Sequence, residues 1–290
     1  MEQKKENYQQ TIKIPKPISC SAKALAFVSP KLASKFVARL FATPMKHKIP
    51  KREYKMEQES IKEKLQIPSL HKEIVVYSYG NSKKKILLVH GWSGRGTQLA
   101  KIAEALLEQG YSTISFDGPA HGKSPGKTTN MLEFVDAVIE VDKKHGPFEA
   151  AVGHSLGSMT LLNAVRSGLK LKTMVLVGSG DSINDIIYDF TNKLGLKDNI
   201  GDRVKKKFDS IAQEDVNNYS ASIAAKDVAI PVLLIHDKND LDSPLESSKN
   251  IHKNLANSKL IITEGLGHRK ILGDEKVINT LTAYIEKNVP

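Results

Sequence analysis

Cysteine is nearly absent from this sequence, with Cys20 alone among 290 residues. A single cysteine excludes an intramolecular disulfide framework and is typical of a reducing compartment. The sequence also has no run that approaches the roughly 18 apolar residues of a membrane-spanning helix. The N-terminal region makes a poor signal peptide, because its basic lead is long and Lys23 interrupts the apolar part. We therefore expect a cytoplasmic protein, and assign Cys20 no catalytic role.

Phosphate-binding and metal-binding signatures are missing as well. The glycine-rich stretch 91–96 matches neither a P-loop nor a dinucleotide-binding fingerprint. Four histidines, His90, His121, His154 and His236, fall near predicted strand ends, but they lack the spacing of metal ligands and their neighbours are turn glycines. We therefore expect no metal site, no P-loop and no dinucleotide-binding loop.

Positive charge is concentrated at one end of the chain. The formal net charge is +11, yet residues 1–72 hold 16 basic and 6 acidic residues, whereas the remaining residues hold 27 and 26. The larger part of the chain is thus nearly neutral, and a basic face for nucleic acid is not implied there. We expect no nucleic-acid partner.

From residue 73 onward the sequence alternates between strand and helix patterns. Predicted strands cover Glu73–Tyr79, Ile86–Val89, Tyr111–Phe116, Phe148–Val152, Thr173–Val177, Val232–Ile235 and Leu260–Thr263. Several of them are continuous apolar runs, as expected of strands buried on both faces of a mostly parallel sheet. Amphipathic helical segments lie between them, so the sequence predicts an α/β domain over residues 73–290 with helices on both faces of the sheet.

One segment interrupts this alternation. About fifty residues, 178–230, separate two predicted sheet strands and carry helical patterns without a strand pattern. An insertion that leaves the carboxyl end of a strand lies over the edge of the sheet where ligands bind. We therefore predict a helical cap at about residues 179–229.

The first 72 residues form a separate N-terminal region in this prediction. Residues 1–17 have the composition of a disordered tail, and residues 43–72 resemble a linker with a short helix near Glu57–Leu65. Between them, residues 18–42 predict an amphipathic helix that breaks at Pro30 and has a basic polar face. Three alternatives stay open for it: packing against the main domain, peripheral contact of residues 18–42 with an anionic membrane surface, or docking to another protein.

The most informative motif is Gly153-His154-Ser155-Leu156-Gly157. It follows the predicted strand Phe148–Val152 and precedes a helical pattern. A G-x-S-x-G sequence between a strand and a helix predicts a nucleophile elbow, in which the serine projects from a strained turn. Gly153 and Gly157 are expected because close backbone packing leaves no room for side chains there.

A base for Ser155 follows later in the chain. A serine hydroxyl is a weak nucleophile at neutral pH and needs a neighbouring base that a third group orients. The strand Leu260–Thr263 leads into a loop in which Gly265 and Gly267 precede His268. We predict that His268 takes the proton of Ser155 and later protonates the leaving group.

The acid that orients His268 is sought in the loop after the strand Val232–Ile235. Asp237, Asp240 and Asp242 all lie in that loop. The order serine, acid, histidine is that of a triad on this scaffold, and it is satisfied by each of the three. We favour Asp240 and keep the other two as alternatives.

An oxyanion hole requires two backbone N–H donors near the reacting carbonyl. One is predicted at Leu156, directly after the nucleophile, and the second at Trp92, in the glycine-rich loop after the strand Ile86–Val89. The Trp92 indole either lines an acyl pocket or packs beneath the cap. His90 is interpreted as a structural hydrogen-bonding residue, and the segment 116–124 as a tight turn.

Taken jointly, these segments resemble the α/β-hydrolase family. The matching motifs are H-G-W-S-G at 90–94, F-D-G-P-A-H-G-K-S at 116–124, G-H-S-L-G at 153–157, H-D-K-N-D at 236–240 and G-L-G-H at 265–268. The resemblance covers residues 73–290 and is greatest to bacterial esterases and lipases with a serine nucleophile. It implies a mostly parallel eight-strand sheet, a cap, no cofactor, a triad of Ser155, Asp240 and His268, and an oxyanion hole from Trp92 and Leu156.

The function expected from these features is hydrolysis of a carboxylic ester of a small or medium substrate through an acyl-enzyme intermediate. The same triad also serves amide, peptide, thioester and lactone bonds, because specificity lies in the pocket and not in the fold. A catalytically silent small-molecule binder on the same fold is the alternative from a different class of protein.

Overall fold

A computed structural model of the protein describes residues 14–289, and within them one sheet organises the chain. Its strands are β1 Ile61–Ile67, β2 Lys72–Tyr79, β3 Lys85–Val89, β4 Ser112–Asp117, β5 Ala150–His154, β6 Thr173–Val177, β7 Val232–Asp237 and β8 Ser258–Thr263. The eight strands follow the order β1-β2-β4-β3-β5-β6-β7-β8. Strand β2 is antiparallel to both β1 and β4, and every other neighbouring pair is parallel. The predicted mostly parallel eight-strand sheet is confirmed.

Helices flank both faces of this sheet. They are α1 Lys16–Val28, α2 Pro30–Phe41, α3 Tyr54–Glu59, α4 Ala100–Glu108, α5 Met131–His145, α6 Leu156–Arg166, α7 Ile183–Lys193, α8 Asp198–Ala212, α9 Ala221–Ala224, α10 Leu245–Asn254, α11 Gly267–Lys270 and α12 Glu275–Asn288. None of these helices combines the length and the apolar character that crossing a lipid bilayer requires.

Successive side chains of a strand point to opposite faces of the sheet, so each strand contributes to two separate apolar clusters. In β3, Leu87 and Val89 join the cluster that packs against α5 and α6, whereas Ile86 and Leu88 join the cluster that packs against α4 and α12. All four side chains are essentially inaccessible to solvent. A strand that is covered on both faces has to be apolar at consecutive positions, which explains the continuous apolar run.

The segment between β6 and β7 consists of helices, as predicted, and no strand occurs in it among the described residues. Helices α7 and α8 form a separate apolar cluster with the N-terminal helices. The short helix α9 does not belong to that cluster, because Ala221 and Ala224 are buried in the core beside α6 and α10. The cap body is therefore α7 and α8, and the end of the insertion is part of the main domain.

The N-terminal helices are confirmed in outline. Ser29 separates α1 from α2, and its hydroxyl caps α2 by accepting a hydrogen bond from the N–H of Leu32, with Pro30 at the first helical position. The apolar face of α2 packs on α8 through Val37 and Ala38. Residues 1–13 of the predicted disordered tail lie outside the described residues. The prediction of disorder is wrong at residues 16–17, because α1 begins at Lys16.

The prediction for residues 43–72 is wrong in its second half. The helix expected near Glu57–Leu65 ends at Glu59 as α3, and the next residues form β1, the antiparallel edge strand. Leu65 and Ile67 of β1 pack against the core, while Lys62, Lys64 and Gln66 on the opposite side are exposed. A charged edge strand is hard to recognise without its partner. The sheet therefore begins at Ile61, ahead of the domain start expected at residue 73.

Candidate active site

Ser155 lies in a strained turn between β5 and α6. Its φ and ψ angles are 54° and −115°, and its backbone N–H donates to the carbonyl of Val177 at 2.9 Å. A non-glycine residue in this conformation costs on the order of 1–3 kcal/mol and persists only where its surroundings hold it. A Cβ at Gly157 would overlap the Val89 carbonyl, and one at Gly153 would lie 2.7 Å from the Gly157 backbone. Both glycines are thus sterically required, as the motif predicted.

His268 and Asp240 are brought together from two adjacent strand ends. His268, in α11 after β8, places its Nδ1 2.6 Å from Oδ2 of Asp240, in the loop after β7. The other carboxylate oxygen of Asp240 accepts hydrogen bonds from the N–H groups of Asp242 and Ser243, each at 2.9 Å. The Asp240 carboxylate is therefore fixed on both oxygens and, of the three predicted candidates, it is the one bonded to His268.

Asp237 has a different task in the same loop. Its Oδ2 accepts hydrogen bonds from the Thr263 hydroxyl at 2.8 Å and the Leu266 N–H at 3.0 Å. Burial alone would raise the pKa of Asp237, but the hydrogen bonds that it accepts, first that from the Gly267 backbone, outweigh burial and lower the pKa. The ionised Asp237 thus holds the start of the loop that carries His268.

His154 supports His268 from beneath. The two imidazole rings lie 4.6 Å apart between centroids, and Nε2 of His154 is 2.9 Å from the backbone carbonyl of His268. Burial, followed by the electrostatic effect of the neighbouring His268 ring, lowers the pKa of His154 well below its ordinary value. His154 is therefore neutral, and since a carbonyl only accepts, its Nε2–H donates and fixes the backbone of His268.

His236 supports the acid in a similar way. Its ring contacts the Ser248 hydroxyl at 2.7 Å through Nδ1, and its Nε2–H donates to the Ser243 carbonyl at 2.9 Å. Burial lowers the pKa of His236, so that the ring is neutral beside Asp240. At the level of the sequence, His154 and His236 are considered as metal ligands, that role is rejected and no other is assigned to them. Their position at the last turns of β5 and β7 was the signal that could have identified them as supports.

The loop after β3 is held by two buried histidines. The Nδ1–H of His90 donates to the Gly91 carbonyl, while its Nε2 accepts from the N–H of Gly118 at 2.9 Å. His121 accepts from the Ser93 N–H at 3.0 Å in the same manner. Burial lowers the pKa of His90 to about 4 and that of His121 to about 3. Both rings are neutral, and they tie the loop after β3 to the turn after β4.

Asp117 joins the same two segments from below. Its carboxylate accepts hydrogen bonds from the N–H groups of Gly96 and Lys123, both at 2.7 Å, and from the Tyr77 hydroxyl at 2.9 Å. Burial raises the pKa of Asp117. The segment 116–124 was predicted as a tight turn, and Gly122, with φ +45°, packs against the Asp117 carboxylate. The sequence patterns do not identify the further contact of this turn, which is that it holds the loop after β3.

The predicted oxyanion donors lie beside Ser155. A Cβ at Gly91 would be 3.1 Å from the Cβ of Ser155, so the loop passes directly over the nucleophile. In this loop Gly91 N donates to Gln98 and Ser93 N donates to His121, whereas Trp92 N has no protein partner among residues 14–289. Leu156 N is the first N–H of α6, where a helix leaves its donors unsatisfied. Both groups are thus available to a substrate oxygen.

A single cavity of about 1510 Å³ contains Ser155, Asp240 and His268 in its wall. Trp92 also lines it, and the indole packs edge-on against His121 with 5.1 Å between centroids. Cap and N-terminal residues complete the wall. Within the described part of the chain, the acidic and imidazole groups close enough to share an ion are those of Asp240, Asp242 and His268. Since Asp240 and His268 are bonded to each other there, the cluster is an acid–base pair and carries no metal assignment.

Two family models match the chain. One, described as the alpha/beta hydrolase fold, matches residues 84–199, and the other, described as TAP-like protein, matches residues 210–288. A search among curated proteins gives no match.

Solved structures of similar fold include three enzymes. An esterase from Exiguobacterium antarcticum is 19% identical, with a TM-score of 0.62 over 78% of this chain and 100% of its own. An esterase from Pyrococcus furiosus is 15% identical, with a TM-score of 0.66 over 86% and 97%. A proline iminopeptidase from Mycobacterium smegmatis is 17% identical, with a TM-score of 0.59 over 79% and 98%. At these identities the similarity concerns the fold.

Proposed function

The chain belongs to the α/β-hydrolase fold family, and from this premise we propose that it is a serine hydrolase that cleaves a carboxylic ester through an acyl-enzyme intermediate. The observation that carries the proposal is the 2.6 Å contact between His268 Nδ1 and Asp240 Oδ2, in the wall of the cavity that also contains the Ser155 elbow. The proposed roles are nucleophile for Ser155, base for His268 and orienting acid for Asp240.

Acylation begins with the tautomer that Asp240 selects. Because the Nδ1–H of His268 donates to the carboxylate, Nε2 is left as the basic nitrogen. Nε2 takes the Ser155 proton while Oγ forms a bond to the ester carbonyl carbon. The negative charge that develops on the carbonyl oxygen is stabilised by the N–H groups of Trp92 and Leu156.

The tetrahedral intermediate then collapses. The bond from the carbonyl carbon to the alkoxy oxygen breaks, and His268 Nε2–H gives its proton to the departing alcohol. A water molecule, deprotonated by the same nitrogen, attacks the acyl-enzyme, and the carboxylic acid leaves as Ser155 recovers its proton. The sum is ester plus water giving acid plus alcohol.

Amide or peptide cleavage is the second candidate. The same residues can carry it out, and one enzyme of similar fold is a proline iminopeptidase. Thioester and lactone cleavage need no other groups either. An ester is favoured because an alkoxide or phenoxide leaves more readily than an amide nitrogen, and because a predominantly apolar pocket offers little to recognise a peptide backbone.

The test is hydrolysis of p-nitrophenyl esters by the wild type and by Ser155→Ala. We expect turnover in the wild type and a loss of at least about 10⁴-fold in the variant, because the triad acts as a unit. A fluorophosphonate probe should label the wild type at Ser155 and leave the variant unlabelled. An esterase signal that survives in Ser155→Ala would contradict the assignment. Absence of both turnover and labelling in the wild type would favour a catalytically silent binder.

A further inference from the structure

The cavity above Ser155 has a wall made by residues that precede both matched regions of the chain. Ile14, Ile18, Leu40 and Phe41 line it from the N-terminal side. Together with the cap helices α7 and α8, helices α1 and α2 form an assembly that we call the helical cover. Its buried residues make one apolar cluster, distinct from the two clusters that flank the sheet.

The two halves of the helical cover meet at three aromatic rings. Phe41 of α2 packs edge-on against Phe190 of α7 and Phe208 of α8, with 5.3 Å and 5.5 Å between ring centroids. All three rings line the cavity. Two cap side chains that also line it, Ile186 and Ile211, are 37% and 53% exposed. The part of the cavity that the helical cover forms is thus walled largely by aliphatic and aromatic groups, and Asp185, Asp189 and Lys193 of α7 also line it.

The N-terminal wall is fixed to the loop that carries Trp92. The backbone N–H of Met45 donates to the Ser93 hydroxyl at 2.9 Å, and Arg95 donates to the His47 carbonyl at 2.9 Å. Glu53, which is only 2% exposed, accepts from the Thr97 hydroxyl at 2.8 Å. The segment that follows α2 is therefore bonded to the loop that contains the predicted oxyanion donor.

We propose that the helical cover is an acyl-binding site and that the substrate of the proposed hydrolysis carries a long, unbranched acyl chain. This inference rests on the proposed function and names its substrate class. A drug-sized ligand occupies a cavity of roughly 300–1,000 Å³, whereas this cavity measures about 1510 Å³. Burying each added methylene of an acyl chain against aliphatic and aromatic side chains is favourable. The small or medium substrate expected from the sequence would fill only part of this volume.

The first experiment measures kcat/KM for p-nitrophenyl esters of two to sixteen acyl carbons, below their critical micelle concentrations. We expect kcat/KM to rise about threefold to fourfold per added methylene over part of the series, the gain expected from burying each group. Phe41→Trp, which narrows the cavity, should lower kcat/KM for the dodecanoyl ester about tenfold, a typical effect of overpacking. The ratio of kcat/KM for the dodecanoyl ester to kcat/KM for the acetyl ester is compared between the wild type and the variant, and it should fall in the variant.

Cys20→Ala is the matched control. Cys20 belongs to the same pair of helices, but it is exposed and does not line the cavity. Its chain-length profile should equal that of the wild type. A wild-type profile that is flat or highest at acetyl, with turnover that depends on Ser155, would overturn the acyl site while leaving the proposed function standing.

A binding measurement separates the two proposals further. Ser155→Ala should bind laurate, and the added change Phe41→Trp or Ile18→Phe should weaken that binding about tenfold. One of the two cavity substitutions is enough for the test, so the test does not depend on both variants folding. No laurate binding, or equal binding with and without the cavity substitutions, would overturn the acyl site whatever the catalytic result.

A second inference rests on the outer corner of α1 and α2. Phe27, Val28 and Leu32 are 93%, 75% and 50% exposed, although they are large apolar residues at one connection. Lys31 and Lys35 are exposed next to them on α2, on the face opposite to the one that packs on α8. An exposed apolar group flanked by lysines complements a membrane surface with anionic lipid. We propose that this corner docks to such a surface.

Vesicles of phosphatidylcholine with 30% phosphatidylserine test this proposal by co-sedimentation. The wild type should sediment with them and be released by salt, and Phe27→Ser with Val28→Ser should reduce the bound fraction about tenfold. Ile61→Ser is the control, because Ile61 is 74% exposed on the edge strand β1. Unchanged sedimentation of the double variant, or equal binding to neutral vesicles, would overturn the proposal. So would a dimer that the double variant abolishes, which would assign the corner to a second copy of the chain.

Discussion

Two regions face each other across the cavity, and they are built by different rules. The catalytic rim, formed by the loops after β3, β5, β7 and β8, is held by directed hydrogen bonds to buried side chains such as Asp117, His154 and Asp240. The helical cover is held by the packing of apolar helix faces. Directed bonds fix positions to fractions of an ångström, whereas packed faces tolerate exchange of similar side chains. In the proposed function the rim therefore supplies the chemistry, and in the proposed acyl site the helical cover selects the substrate.

The largest predicted effect is the loss of kcat when Asp240, the proposed acid of the rim, is replaced. Asp240→Asn should lower kcat about 10⁴-fold at nearly unchanged stability, because an amide can donate to His268 and favour the wrong tautomer. Asp242→Asn, in the same loop, is the control and should change kcat by less than about threefold. Kinetics on a short ester measure both. Similar losses in the two variants would move the acid assignment away from Asp240.

A glycine in the elbow should produce the next largest effect. Gly157→Ala sets a methyl group against the backbone carbonyl of Val89, which cannot move without disturbing β3. We expect a loss of about 3 kcal/mol or more in the free energy of unfolding, because overpacking against backbone has no side chain to relax. Gly273→Ala is the control, since a Cβ there meets nothing within 4 Å. Equal urea midpoints for the two variants would contradict the tight packing of the elbow.

Substitutions of His154 test whether activity depends on the hydrogen bond that holds the His268 backbone as well as on the proposed reacting groups. His154→Leu removes the donor to the His268 carbonyl and should lower kcat about 10–100-fold with little change in KM, as expected of a small misplacement. His154→Gln retains an N–H donor and should recover most of the loss. A purely structural role would instead lower the stability of both variants and leave kcat of the folded fraction unchanged, which thermal melts and active-site titration would reveal.

The rim was also the region that the sequence predicted best. Ser155, Asp240 and His268 each follow a strand, and the G-x-S-x-G spacing reflects steric needs that are local to the chain. The contacts of His154, His236 and Asp117 were missed, because each joins segments far apart in sequence. In the cover, the pattern of α2 indicated a buried face but could not identify α8 as its partner. Strand β1 was missed because an edge strand is defined by its neighbour, and its own charges favoured a helix.

The smallest predicted effect is on the free energy of unfolding at acidic pH, and it also distinguishes the rim from the cap. The cap segment 178–231 contains no histidine, whereas the rim holds His90, buried and neutral, with its pKa lowered to about 4. Between the ordinary histidine pKa of about 6.5 and this value the unfolded chain binds the extra proton, so the free energy of unfolding falls as the pH falls. One such group contributes a slope of about 1.4 kcal/mol per pH unit. His90→Gln should therefore be less stable than the wild type at pH 7.5, but its free energy of unfolding should fall less between pH 6 and pH 4.5, measured by urea unfolding.

The wild type is the control for other groups that titrate in this range. Asp117, whose pKa is raised, titrates in both proteins, so the difference between their pH profiles isolates the contribution of His90. Parallel pH profiles would show that His90 titrates alike in the folded and the unfolded protein, and the support of the loop after β3 would need another explanation.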